Sequence, residues 1–210
     1  MIGRRIRRFA IGPWLRRTAI PVGSVVAIAA TAWGADPLLV ASGDVRVSCP
    51  LTVGGSFEAR TTAVEGTLSP SSTRPTRFTG EVSVDLRTLD TGINLRNDHL
   101  RGEYLEVDKG DGFEKAVVSE IDLGDIDWGS FHGKTGFTGM FRLHGTRAPI
   151  AGEAKIERRD GAIQVEATFP VSLTDYGIAE PRYLGVGVKD RVQAKVSLVL
   201  RPSSRPGGDR

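Results

Sequence analysis

The chain has 210 residues, 40% apolar and 25% charged, with 26 glycines and 11 prolines, the composition of a globular domain too apolar to be disordered and too often punctuated for long helices. Its single cysteine, Cys49, and three scattered histidines at 99, 132 and 144 exclude an intrachain disulfide and any zinc site built on paired thiolates. The net charge of +3 is set by six arginines in the first 17 residues; residues 36 to 210 carry 22 basic against 25 acidic groups, which argues against a nucleic-acid partner because no basic surface remains to neutralise phosphates.

Residues 1 to 41 read as a leader. Thr18 to Ala35 is free of charge, rich in Ala, Val and Ile, and follows the arginine cluster directly, which is the architecture of an export segment. Ala30-Thr31-Ala32 offers a small-residue cleavage site for a signal peptide. The apolar stretch resumes at Pro37-Leu38-Leu39-Val40-Ala41 and so approaches the roughly 20 residues that a membrane-spanning anchor needs. Both readings stay open, and either one places the body, residues 42 to 201, outside the cytoplasmic membrane. Residues 202 to 210 read as a flexible tail.

From Val45 onward apolar residues recur at every second position, the period of a half-buried strand. Strands are expected at Val45 to Cys49, Ser56 to Thr62 and Val64 to Leu68, with Cys49 a small buried hydrophobe. The Pro- and Ser-rich stretch Ser69 to Thr76 reads as a surface loop. Val82, Val84 and Leu86 then alternate with Ser83, Asp85 and Arg87. Asn94 to Val107 breaks the rhythm, because Leu95, Leu100, Tyr104 and Leu105 fall at roughly helical spacing; a short helix there would cap one mouth of the sheet.

The pattern of twos returns at Lys115 to Leu123. Glu120, Asp122, Asp125 and Asp127 lack calcium-loop spacing, and Glu120 and Asp122 are expected to share one solvated strand face. Phe137, Phe141 and Leu143 lie on one face with Gly139. Strands Ile150 to Ile156 and Ala162 to Phe169 flank Asp160-Gly161, a strong hairpin signal because both residues tolerate positive φ. Val192, Ala194, Val196, Leu198 and Leu200 form the last dry face.

Seven to nine strands with Gly-rich turns imply an antiparallel sheet closed or folded on itself, a barrel or a sandwich. The inward aromatics then either fill an ordinary core or line an apolar cavity, since an eight-stranded barrel can hold one small ligand.

Several segments together resemble the YceI-like family: Gly54-Gly55-Ser56-Phe57, Val82-Ser83-Val84-Asp85-Leu86 running to Leu89-Asp90-Thr91-Gly92, Arg96-Asn97-Asp98-His99-Leu100-Arg101, Leu143-His144-Gly145-Thr146-Arg147 and Leu173-Thr174-Asp175-Tyr176-Gly177-Ile178. In order and spacing they span about residues 44 to 200. The family pattern has Arg-Asp where this chain has Arg96-Asn97, and a Tyr-Pro step where it reads Gly112-Phe113-Glu114-Lys115-Ala116. The resemblance implies an all-β, lipocalin-like antiparallel barrel with one short helix at its mouth, exported to the bacterial periplasm or cell envelope, holding a long isoprenoid, quinone or similar amphiphilic lipid. Val84, Leu100, Tyr104, Phe137, Phe141, Val165, Phe169 and Tyr183 are the expected tail contacts, and Arg96, His99 and Arg101 are expected to meet a headgroup.

No cofactor, metal or catalytic residue is expected, because no Gly-x-Ser-x-Gly, P-loop, dinucleotide-binding or His-Glu-x-x-His motif is present. An enzyme acting on a lipid-like substrate and a structural envelope module with a filled barrel remain as alternatives. The leader would contact membrane if uncleaved, and a homodimer is left open.

Overall fold

The computed structural model describes residues 36–183 and 186–203. The leader up to residue 35, including the apolar helix expected there and its candidate cleavage site, and residues 204–210 of the tail lie outside the described residues.

The alternating segments form long strands: β1 (Leu38–Pro50), β2 (Ser56–Thr61), β3 (Val64–Pro70), β4 (Phe78–Asp85), β5 (Lys115–Asp122), β6 (Gly133–Leu143), β7 (Thr146–Arg159) and β8 (Ala162–Ser172). A small ribbon follows, β9 (Arg182–Tyr183) with β10 (Val186–Gly187), and then β11 (Arg191–Pro202). Each strand from β3 to β8 pairs antiparallel with the next, and β11 pairs with both β8 and β1, which closes the sheet. β2 and β3 keep one register against β1, with Thr61 opposite Val45 and Thr67 opposite Leu39. They are therefore one strand bent at Thr62 and Ala63, and the described barrel has eight strands. Closure joins β11 to β1, so the main sheet is not left open along those two long strands.

The turns follow from local chemistry. Asp160-Gly161, as expected, and His144-Gly145 are two-residue hairpin turns in which all four residues have positive φ, the conformation that matches strand twist. The irregular stretch between β4 and β5 holds a helix, α1 (Asn94–His99), continued by a wider turn over Leu100–Tyr104 and a tight turn over Val107–Lys109.

Two expectations are corrected. β1 starts at Leu38, which is buried and lies opposite Pro202, so residues 38 to 41 are barrel strand and not leader. An apolar run has no period, so sequence cannot divide it between a membrane segment and a strand. The second concerns β5, where the register shifts between Ser119 and Asp122 and Glu120 takes φ 52°, a bulge that breaks the pleat relating Glu120 to Asp122. The two carboxylates go to different partners, Glu120 to Arg147 and Asp122 to Arg77.

A capped apolar cavity as the candidate functional site

The barrel interior is hollow. A cavity of about 790 Å3 is lined by inward side chains from every barrel strand, and it has room for about two dozen water-sized groups at roughly 30 Å3 each. Small residues such as Ala59, Ala154 and Ala194 alternate with larger ones on this inner face, and their short side chains leave the space open.

Val84, Phe137, Phe141, Val165 and Phe169 all line the cavity, as their shared parity requires, together with Leu100 and Tyr104 from the cap. Phe169 packs edge-to-face on Phe137 and Phe141, with ring centroids 6.0 and 5.6 Å apart, and Phe141 does the same with Tyr176 at 5.5 Å. These rings form an aromatic ladder along β6 and β8. Tyr183 stands in β9 with its backbone paired to Val186 at the mouth.

One end of the cavity is closed by Trp128, which lies between β5 and β6. Its ring meets Phe78 edge-on at 4.9 Å, and the Arg158 guanidinium lies over it at 4.5 Å while donating to the Trp128 carbonyl. The other end is the mouth, framed by the β1–β2 turn, the cap and the segment 173–190. These three pieces are tied together. The Tyr104 hydroxyl accepts from the Arg182 N–H at 3.3 Å, and Thr52 exchanges two bonds with Gly187 at 2.8 and 3.0 Å. Ile93, Leu95 and Val186 line the mouth while remaining exposed to solvent.

The cap is anchored by a buried amide. Asn97 is 6% exposed; its Oδ1 accepts from the Thr91 N–H at 2.8 Å and the Thr91 hydroxyl at 2.7 Å, and its Nδ2 donates to Asp90 at 2.7 Å. Asp90 also accepts from the Gly92 N–H at 2.9 Å, and it is joined to β2 by a reciprocal pair of backbone bonds with Arg60. The Gly92 N–H first, and the Asn97 amide after it, hold the Asp90 carboxyl below the usual carboxylate range. At the other side of the mouth the Ser172 hydroxyl and then the Thr174 N–H do the same for Asp190.

Arg96 and His99 project from α1 to the mouth lining. The Arg96 guanidinium lies over the Phe57 ring at 4.3 Å from its centroid. Arg101 is corrected: it does not line the cavity, because its Nε and Nη2 donate to the Leu89 carbonyl at 3.1 and 2.5 Å and so brace the cap. Cys49 is buried, as expected, and faces the cavity; burial pushes its thiol up to about 12, with Arg96 opposing the shift.

Sequence reasoning missed Trp128, Phe57 and Arg182 as lining residues. Trp128 sits in a loop and Arg182 in a two-residue strand, both too short or irregular to show a period, and only the Gly54-Gly55-Ser56-Phe57 segment carried a signal. Among the described residues no cluster of three or more His, Cys, Asp or Glu is placed to hold a metal ion.

The same barrel recurs in solved structures. A polyisoprenoid-binding domain from Saccharophagus degradans superposes with a TM-score of 0.62 at 16% identity, covering 79% of this chain and 98% of that one. BcnA of Burkholderia cenocepacia gives 0.57 at 15% identity, covering 74% and 95%, and a Campylobacter jejuni YceI protein gives 0.51 at 14%, covering 68% and 82%. These likenesses establish the fold. No functionally curated protein matches the sequence. The YceI-like domain profile matches residues 33–200, and with the eight-stranded capped barrel this places the chain in the YceI-like family.

Proposed function

We propose that this protein binds and carries a long apolar or amphiphilic lipid of isoprenoid or quinone type inside its barrel, outside the cytoplasmic membrane. The observation that carries the reading is the cavity itself, about 790 Å3 and walled by aliphatic and aromatic side chains from all eight strands, with its polar groups gathered at one end. Water gains little in such a space, whereas each buried methylene contributes about 0.8 kcal/mol. A dozen buried carbons are then of the same order as the roughly 4–15 kcal/mol cost of association. The related domain from Saccharophagus degradans is described as polyisoprenoid-binding, which supports the same ligand class here. The Arg-rich leader supports export, and the uniformly apolar interior favours holding a ligand over transforming it.

Trp128 reports on occupancy because it is the tryptophan that lines the cavity, while Trp14 and Trp33 belong to the leader. Titrating the full chain with an isoprenoid quinone is expected to quench Trp128 emission saturably at one ligand per chain, and Trp128→Phe is expected to remove that signal. Emission that does not respond to quinone, together with no uptake of a polyprenol, would overturn the reading.

A further inference from the structure

The cavity carries charge of one sign only. Among its lining residues the basic side chains are Arg96, Arg182 and His99, all at the mouth, and no aspartate or glutamate lines it. The body that contains it is acidic overall, so this is a local departure from the average surface. The nearby carboxylates are held elsewhere: Asp90 by Gly92 and Asn97, and Asp190 by Ser172 and Thr174. Arg182 reaches outward to Glu180 at 3.0 Å.

Arg96 differs from the other arginines of the mouth. Asp98 lies two residues away on the same helix, yet none of the ion pairs among the described residues includes Arg96. Its guanidinium carbon lies over the Phe57 ring, 4.3 Å from the centroid, on a half-buried side chain that lines the cavity mouth, and its charge is felt by the buried Cys49 thiol. A guanidinium held over a ring is partly pre-positioned and can still present its N–H donors to a planar or tetrahedral anion. Beside low-dielectric walls the attraction between such a pair exceeds its value in bulk water.

We infer that the mouth selects an amphiphile with an anionic headgroup, a phosphate or a carboxylate, which Arg96 grips while the tail fills the barrel. This rests on the carrier reading above and narrows it to a charged ligand class. His99 and Arg182 lie on the same rim. A neutral quinone or alcohol would occupy the bore without using Arg96.

The test compares three ligands with one C20 isoprenoid tail, geranylgeranyl monophosphate, geranylgeranoic acid and geranylgeraniol, by calorimetry on the full chain at low and high salt. The phosphate or the acid is expected to bind about tenfold or more tightly than the alcohol at low salt, with the gap shrinking as salt screens the charge. Arg96→Gln should reduce the gap to about threefold or less by weakening the two anions far more than the alcohol. A preference for phosphate over acid assigns the site to a phosphorylated lipid, and the reverse order assigns it to a fatty-acid-like one. If all three bind the wild type equally, the headgroup inference falls and the carrier reading stands; if none binds, the carrier reading itself falls. Equal weakening of all three ligands by Arg96→Gln would make Arg96 a rivet for α1 and overturn the inference. The salt dependence of the wild type decides the matter if that variant does not fold.

Discussion

His144 and Glu106 close a latch between the β6–β7 turn and the cap: His144 Nε2 lies 2.9 Å from Glu106 Oε2, and both residues hold left-handed backbone, with φ of 50° and 47°. The other ring nitrogen, Nδ1, lies 3.0 Å from the Tyr176 carbonyl, so one imidazole joins three segments. Phe113 packs edge-on against the ring at 4.7 Å. Two non-glycine residues in the left-handed region are each strained, and such strain persists only where surrounding contacts enforce it.

His144→Ala is expected to destabilise the barrel by about 1–3 kcal/mol, because it leaves a part-buried carbonyl without its donor. Adding Glu106→Gln should then cost only what its exposed contact with Lys109 contributes, since the His144 partner is already lost. Additive losses in that double-mutant cycle would mean the two side chains act separately.

Asn97 predicts a charge-dependent defect. Asn97→Leu is expected to cost about 1–3 kcal/mol by stranding the Thr91 N–H, whereas Asn97→Asp sets a second carboxylate against Asp90 in place of the amide donor now 2.7 Å away. Like charges so close resist joint ionisation. The Asn97→Asp defect should therefore ease as pH falls through the carboxylate range, and the Asn97→Leu defect should not; urea melts at two pH values distinguish them.

The mouth should also loosen in acid. Asp90 and Asp190 both ionise more readily in the folded protein than in the unfolded chain, chiefly through the Gly92 N–H and the Ser172 hydroxyl respectively. A depressed folded-state pKa contributes stability in full above the unfolded value of about 3.9 and loses it as pH falls through the folded value. Ligand release is accordingly expected to stay flat from pH 5 to 8 and to quicken below about pH 4. A release rate that already rises between pH 7 and 5 would point away from these carboxylates.

Hollow and solid parts of the wall should respond differently to added volume. Val84 and Ala167 face the cavity, so Val84→Trp and Ala167→Phe are expected to abolish ligand retention while preserving a cooperative melt. Gly152 faces no such space: a Cβ there would stand 2.8 Å from Phe137 Cε1 and from Phe169 Cβ and would also run into the Thr168 carbonyl. Gly152→Ala is therefore expected to lose about 1–3 kcal/mol by overpacking. Differential scanning calorimetry with and without ligand checks both, and a larger stability loss for the cavity variants would mean that the interior is filled.

The strands were legible because a barrel wall has one wet and one dry face, and that alternation is written at Val82 to Leu86, Phe137 to Leu143 and Val192 to Leu200. The Asp160-Gly161 turn was legible through backbone chemistry alone. What makes the site specific was not. Trp128 closes the barrel from a loop, and Asn97, Asp90 and Thr91 act through a network whose members look like ordinary polar residues. The His144–Glu106 latch spans 38 positions. Arg96 sits on α1 and Arg101 on the wider turn that continues it, and only tertiary packing sends the second to the Leu89 carbonyl and the first to the mouth.

Native mass spectrometry of the full chain, purified gently and left undelipidated, tests the carrier account most directly. One lipid-sized adduct per chain, lost from Val84→Trp and Ala167→Phe, is the predicted result. A protein that flies without adduct and takes up neither a polyprenol nor an isoprenoid quinone on incubation would contradict it.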